Sequence, residues 1–142
     1  MSIFETNTLV VSGVSPEDGI GEAISTRSNI FELTQLAEAS VLRPMEYGMF
    51  PHDVRAALAY RIAANAGETQ LAEHYAAAFG DNYNIAQSRI IEEKLDSTLI
   101  PFVDKAAHAT KDIVAEDILK LQAVGVSDAD IVRLCELIAF VA

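Results

Sequence analysis

The sequence predicts an all-α fold. Apolar residues recur at spacings of three and four through most of the 142 residues, no strand-like alternation persists, and glycine, proline or a capping residue separates the segments. A hydrophobic share of 51% supplies a core, and the length suits one domain. We expect about six helices in residues 29–142, preceded by an irregular arm in residues 1–28.

The arm carries several turn-forming residues among short apolar pieces. These residues are Gly13, Pro16, Gly19 and Gly21. We expect at most a short helix from Gly21 to Thr26, and an arm that packs on the body or on a neighbouring subunit.

The first helix of the domain has Ser28 or Asn29 as its cap and runs to about Leu42. Its predicted inward positions are Ile30, Leu33, Leu36, Ala37 and Val41. Arg43 ends the helix because a residue that precedes proline avoids the helical region. The loop that follows, residues 45–50, carries large side chains that cover apolar surface or line a pocket.

Two helices joined at Gly67 form the centre of the chain, within residues 50–80. Pro51 suits the first turn of the first helix, whose apolar face is formed by Val54, Leu58 and Ile62. The apolar face of the second helix is formed by Leu71, Tyr75 and Ala78. His74 lies on that same face, so the sequence predicts a closely packed helix pair with a histidine pointing inward.

A long helical pattern begins at Ile85 and is interrupted by Pro101. Its apolar stripe contains Ser88, Ile91, Leu95, Leu99, Phe102 and Ala106. Either the helix kinks at Pro101, or it stops near Ser97 and restarts with Thr98 as its cap. A short helix from residue 115 to 124 follows, with Ile118 and Leu121 inward.

Clear boundaries mark the last helix, because Gly125 ends its predecessor and Ser127 caps it. Its predicted inward stripe is Ile131, Leu134, Cys135, Ile138 and Val141. The other side is also largely apolar. A helix that is apolar nearly all round is buried on nearly all sides, which predicts a homo-oligomer through this helix, or a covering segment that follows Ala142.

Composition excludes several classes of function. A net charge of −11 opposes binding to nucleic acid and to anionic membranes. The chain shows no signal peptide and no apolar run long enough to span a membrane, and a single cysteine excludes an internal disulfide. We therefore expect a cytoplasmic protein. No phosphate-binding loop or hydrolase motif is present, and we expect no cofactor.

The central segment, FPHDVRAALAYRIAANAGETQLAEHY, resembles the carboxymuconolactone decarboxylase and alkylhydroperoxidase D superfamily, as does LQAVGVSDADIVRLCELIAFV near the end. The resemblance extends to the early GVSP and to LRPMEYGMFP. It implies an oligomeric all-α bundle. The family signature is a glutamate, a C-x-x-C pair and a histidine. When the histidine is aligned on His74, the cysteine positions fall on Gly67 and Gln70, and the glutamate position falls on Arg55.

The resemblance is therefore to the branch that lacks the C-x-x-C pair, and it implies a protein that has lost the thiol-peroxidase centre. Two hypotheses remain: an oligomeric scaffold that binds a small molecule or a protein, and an acid–base enzyme of the decarboxylase or isomerase type. In the second, His74 acts as acid or base, Arg55 holds a substrate carboxylate, and Glu73, Tyr75 and Glu46 assist.

Each candidate residue also has a structural interpretation. His74 then packs against Tyr75 or a backbone carbonyl, and Arg55 forms an ion pair with Glu73 or Asp53. A third, minor possibility is peroxidase chemistry at Cys135, but a cysteine on an apolar stripe is usually a small buried hydrophobe.

Metal binding has little support in the sequence. Asp104 and His108 lie four residues apart on one helix, a spacing that suits two metal ligands and, more often, a surface ion pair. We expect no metal.

Overall fold

The computed structural model describes residues 2–78 and 93–142. Within those ranges all regular structure is helical and there is no strand, so the all-α prediction is confirmed. The chain divides into two compact units, one ending at Ser40 and the other running from Val41 to Ala142. The predicted boundary between residues 28 and 29 stays a prediction.

The first unit begins with a 3₁₀ turn, Ile3–Glu5, followed by α1 (Asn7–Ser12) and α2 (Gly21–Ser25). Helix α2 lies where the short helix of the arm was expected, whereas α1 was not predicted. Helix α3 (Ser28–Leu42) begins in this unit and ends just beyond it. A buried polar cluster links α1 to α3, because the Asn7 backbone N–H donates to Gln35 at 2.7 Å and the Asn7 side chain donates to Glu38 at 2.9 Å.

Helix α3 exposes four of its five predicted inward residues, while the fifth, Val41, is half-buried and packs against the core as predicted. Its side chains Ile30, Leu33 and Leu36 are 47%, 62% and 64% exposed, and Ala37 is exposed too. The inward side instead carries Glu38, which is buried, and Gln35, which is half-buried. The prediction was wrong because helical spacing shows only that apolar residues share a face, while the hydrogen bonds to Asn7 decide which face points inward. We call Ile30, Leu33, Leu36 and Ala37 the α3 strip.

The second unit contains α4 (His52–Asn65), α5 (Thr69–Ala76), α6 (Glu93–His108), α7 (Ala115–Ala123) and α8 (Asp128–Val141). Helix α4 lies at its centre and contacts α5, α6 and α8. Alanine at half of its buried positions allows this close packing, and Leu58, Ala57 and Ala59 are fully buried. Pro51 directly precedes the first helical residue, one position earlier than the predicted first turn.

Helix α6 continues unbroken through Pro101, so the predicted alternative of a stop near Ser97 is wrong. The predicted beginning of this helix at Ile85 lies outside the described residues. Leu99 and Val103 are fully buried on either side of the proline, which is itself exposed. Arg61 of α4 holds α6 through a two-bond ion pair with Asp104, at 2.8 and 2.7 Å.

Helix α8 buries Ile131, Leu134, Leu137 and Ile138. Cys135, which was predicted to lie inward, is exposed, because it sits at the margin of the apolar stripe. Leu137, which was assigned to the other side, is buried instead. Three exposed residues, Val132, Cys135 and Ala139, share one side of the helix and form what we call the α8 strip.

Membrane insertion finds no support in the helices described. None of them combines the length and the apolar character that crossing a bilayer requires.

Candidate functional site

Arg55, one of the candidate site residues, occupies the first turn of α4 and is only 2% exposed. Its guanidinium donates three hydrogen bonds to backbone carbonyls. Nε donates to Phe50 at 2.7 Å, Nη1 to Val41 at 2.7 Å and Nη2 to Tyr47 at 3.0 Å. These carbonyls bracket the loop between α3 and α4, so Arg55 fixes the path of that loop.

The side chain of Arg55 is thus committed to the protein's own backbone. The predicted ion pair with Glu73 or Asp53 is wrong, since the hydrogen bonds of Arg55 within the described residues all go to carbonyl oxygens. Burial lowers the pKa of Arg55, and the positive charge of Arg133 lowers it further. An arginine nevertheless stays protonated at neutral pH, and the carbonyl dipoles compensate for its buried charge.

Asp130, in the first turn of α8, also contacts the loop between α3 and α4. Its Oδ1 accepts the backbone N–H of Met49 at 3.0 Å and a hydrogen bond from Arg133 at 3.0 Å, and its Oδ2 accepts from the Ser127 hydroxyl at 2.8 Å. Asp130 is 8% exposed. Burial alone would raise its pKa, but the hydrogen bonds from Met49, Ser127 and Arg133 outweigh burial and lower it. The carboxylate is therefore charged at neutral pH and structural in role.

Gly48 allows this contact because it has no side chain. Its φ of +59° is in the left-handed region. A Cβ atom at this position would overlap the Asp130 carboxylate and lie 2.8 Å from Nη1 of Arg133. We refer to Arg55, Gly48, Met49 and Asp130 as the loop clamp.

His74 lies in the last turn of α5 and is half-buried. Its ring centroid is 5.2 Å from that of Tyr75, with the ring planes inclined at 58°. Tyr75 is buried, whereas Glu73 and Glu46 are exposed. Within the described residues, Arg55 makes no hydrogen bond to any of these four residues. The predicted site residues are therefore not connected through the Arg55 guanidinium.

The positions at which the resemblance implies a cysteine pair hold a glycine and a glutamine. Gly67 ends the α4 region with a φ of +81°, as predicted, and Gln70 is exposed on the first turn of α5. Cys135 supplies the only thiol in the sequence. Partial burial and the nearby Glu136 carboxylate raise the pKa of that thiol, which opposes formation of the reactive thiolate at neutral pH.

Asp104 and His108 do not form a metal site. Both oxygens of Asp104 accept from Arg61, and Asn65 donates a further hydrogen bond at 3.2 Å, while His108 is exposed. No group of three or more potential metal-binding side chains occurs in residues 2–78 and 93–142.

Two clefts open on the surface of the described parts of the chain. One, of about 190 Å³, lies between α6 and α7 and is lined mainly by Ser97, Thr98, Lys105 and Asp117. Lys105 and Asp117 are joined across it by an ion pair of 2.6 Å. The other, of about 290 Å³, lies in the first unit. Neither is lined by His74.

Sequence reasoning missed the structural role of Asp130. The backbone N–H of Asp130 donates to the Ser127 hydroxyl at 3.2 Å, as the predicted cap requires. The contact with Met49 joins residues 81 positions apart, and nothing in the local sequence indicates it. Gly48 carried a weak signal, since glycine in a short loop often marks a left-handed residue.

Comparisons with family models, with curated proteins and with solved structures gave no match.

Proposed function

We propose that this chain is a member of the alkylhydroperoxidase D-like superfamily that has lost the C-x-x-C centre and acts as a homo-oligomeric binding scaffold. The main observation in support of the proposal is the structural role of Arg55. At the position where the resemblance implies a catalytic glutamate, the chain has a buried arginine bonded to three backbone carbonyls. A site residue has been replaced by one that supports the fold.

Self-association is supported by the two exposed apolar strips. The α3 strip presents three large aliphatic side chains to solvent, and the α8 strip presents Val132, which is 57% exposed, with two small residues. Burying such side chains against a second copy is favourable, because each buried side chain withdraws apolar surface from contact with water. The α3 strip is uncharged, whereas the exposed Glu136 lies beside the α8 strip, so contact between two acidic copies must overcome some repulsion there.

Sedimentation velocity on the full chain at micromolar concentration tests this assembly. We expect a stable oligomer, which Ala139→Asp in the α8 strip weakens by placing a carboxylate in the contact. Ala115→Asp is the matched control, since Ala115 is an exposed alanine on a different helix, α7. A wild-type protein that sediments as a monomer would contradict the proposal.

A second candidate function, acid–base catalysis at His74, is favoured by the partial exposure of that imidazole beside the buried Tyr75 ring. If it operates, His74→Gln abolishes turnover of a carboxylated lactone, whereas His108→Gln, at an exposed histidine, leaves turnover unchanged. We expect no turnover in the wild type, in keeping with the scaffold.

Peroxidase chemistry can be tested with an organic hydroperoxide and a dithiol reductant. We expect no turnover in the wild type or in Cys135→Ser, because the thiol has a raised pKa and no second thiol exists to resolve an oxidised intermediate. Turnover that is lost in Cys135→Ser would make Cys135 a catalytic residue and reject the scaffold.

A further inference from the structure

The open cleft of the first unit lies where α2, α3 and the residues beside them meet. Its volume is about 290 Å³, just below the range typical of small-molecule sites. The lining residues are Ile20, Ala23, Ile24, Arg27, Ile30 and Phe31. Five of these six side chains are purely apolar and one is a cation.

Local contacts hold the walls of this cleft in place. Helix α2 approaches Pro16 so closely that a Cβ on Gly21 would overlap the Pro16 carbonyl oxygen. The opposite wall, α3, is oriented by the hydrogen bonds of Asn7 to Gln35 and Glu38. The cleft is therefore formed before any ligand arrives, which reduces the entropy that binding costs.

Arg27 supplies the only charge in the lining. Its side chain is exposed and forms no hydrogen bond or ion pair with any residue in the described ranges, although the chain carries 21 acidic residues. The planar guanidinium fork matches a carboxylate in two parallel hydrogen bonds. Arg27 can therefore bind an anionic group of a ligand, while the neighbouring apolar side chains contact its hydrocarbon part.

We propose that this cleft binds a medium-chain amphipathic carboxylate, with its acyl chain against Ile24, Ile30 and Phe31 and its carboxylate on Arg27. The small volume selects a medium chain over a long-chain fatty acid. The lining offers no other polar side chain, so sugars and nucleotides lack the donors and acceptors they need. This site goes beyond the proposed assembly. Ile30 belongs both to the cleft and to the α3 strip, so self-association through α3 would compete with the ligand, whereas self-association through the α8 strip would not.

Isothermal titration of the full-length protein with octanoate tests the site, with octanol and acetate as comparison ligands. Octanol has the chain without the charge, and acetate has the charge without the chain. We expect octanoate to bind more tightly than either. Arg27→Gln should weaken octanoate binding by a few-fold to about tenfold and leave octanol unaffected. Arg43→Gln, at an exposed arginine outside the cleft, should change nothing.

A second variant tests the apolar wall without disturbing the core. Ala23 lines the cleft and is exposed, so Ala23→Asp places a carboxylate inside it and should abolish octanoate binding while preserving the circular dichroism of the wild type. The proposal is overturned if octanoate does not bind the wild type, or if octanoate and octanol bind equally and Arg27→Gln has no effect. Sedimentation of the same samples reports the assembly separately, so either idea can fail alone.

Discussion

At the scale of the residue, Arg55 shows how a buried charge is accommodated without a carboxylate. Three carbonyl oxygens at 2.7 to 3.0 Å surround its guanidinium. Each carbonyl belongs to residues 41–50, where the backbone has no complete helical pattern of its own to satisfy it. The arginine therefore replaces the hydrogen bonds that regular structure would supply.

Replacing Arg55 should be costly. Arg55→Met keeps much of the volume but removes the Arg55 donor from the buried Phe50 carbonyl and the partly buried Val41 carbonyl, whereas the Tyr47 carbonyl still accepts the Phe50 backbone N–H at 3.1 Å. We expect a loss of about 2–3 kcal/mol in the free energy of unfolding. Arg55→Lys should lose most of the same stabilisation, because an ammonium group cannot reach three divergent oxygens as a guanidinium does. Urea titration measures both, with Arg43→Lys as a surface control. A near-neutral Arg55→Met would show that the carbonyls find other partners.

The lowered pKa of Asp130 predicts that the folded protein loses stability at acidic pH. Since its pKa in the folded protein lies below the ordinary 3.8, the carboxylate stabilises the fold fully above that value. The contribution is lost as the pH falls from about 4 through the lower folded-state pKa. Urea titrations at about pH 6 and pH 3 should show a smaller loss of stability for Asp130→Asn than for the wild type. An unchanged loss would mean that Asp130 is not a source of the acid sensitivity.

At the scale of the element, the loop between α3 and α4 is short, irregular and yet tightly held. Gly48 shows why, since only a glycine brings the backbone against the Asp130 carboxylate. Gly48→Ala combines left-handed strain with displacement of that carboxylate, and we expect a destabilisation of about 2–4 kcal/mol. Thermal denaturation would measure it.

The matched control for that substitution is Gly67→Ala. Gly67 also has a positive φ, but a Cβ there would have no heavy atom within 4 Å. Gly67→Ala should therefore lower the free energy of unfolding only through backbone strain, by about 1 kcal/mol. Equal losses at the two glycines would remove the close approach to Asp130 as the cause.

The helix boundaries were the part of this structure that the sequence predicted best. Gly67 and Ser127 lie where expected, because capping and left-handed glycines depend on local chemistry. The orientation of α3 was predicted wrongly, since it depends on hydrogen bonds to Asn7, a residue in another helix. The partners of Arg55 could not be predicted for the same reason. Local sequence places Arg55 on α4, but the carbonyls that it meets are set by the path of the loop.

At the scale of the whole molecule, charge and apolar surface act against each other. Every copy carries a net charge of −11 while presenting the uncharged α3 and α8 strips. Like charges repel approaching copies, and burial of the strips favours contact. The balance between these two terms should depend on salt.

Raising the salt concentration should therefore strengthen self-association. At about 0.5 M sodium chloride the repulsion is screened over a few ångströms, while the apolar contact persists. Sedimentation at low and high salt should show the oligomer favoured at high salt, by an amount that Ala139→Asp reduces. Dissociation on adding salt would instead indicate an interface held by ion pairs.

The hydrogen bond between Met49 and Asp130 spans 81 residues, and this has a consequence for biosynthesis. While the ribosome is still making the chain, the segment before α4 has emerged but its anchor in α8 has not. Closing so wide a loop waits for α8 to be synthesised, so the entrance to α4 is completed late in folding. Until then the loop between α3 and α4 lacks its anchor at Asp130, and we expect proteases to cleave it faster than in the folded protein.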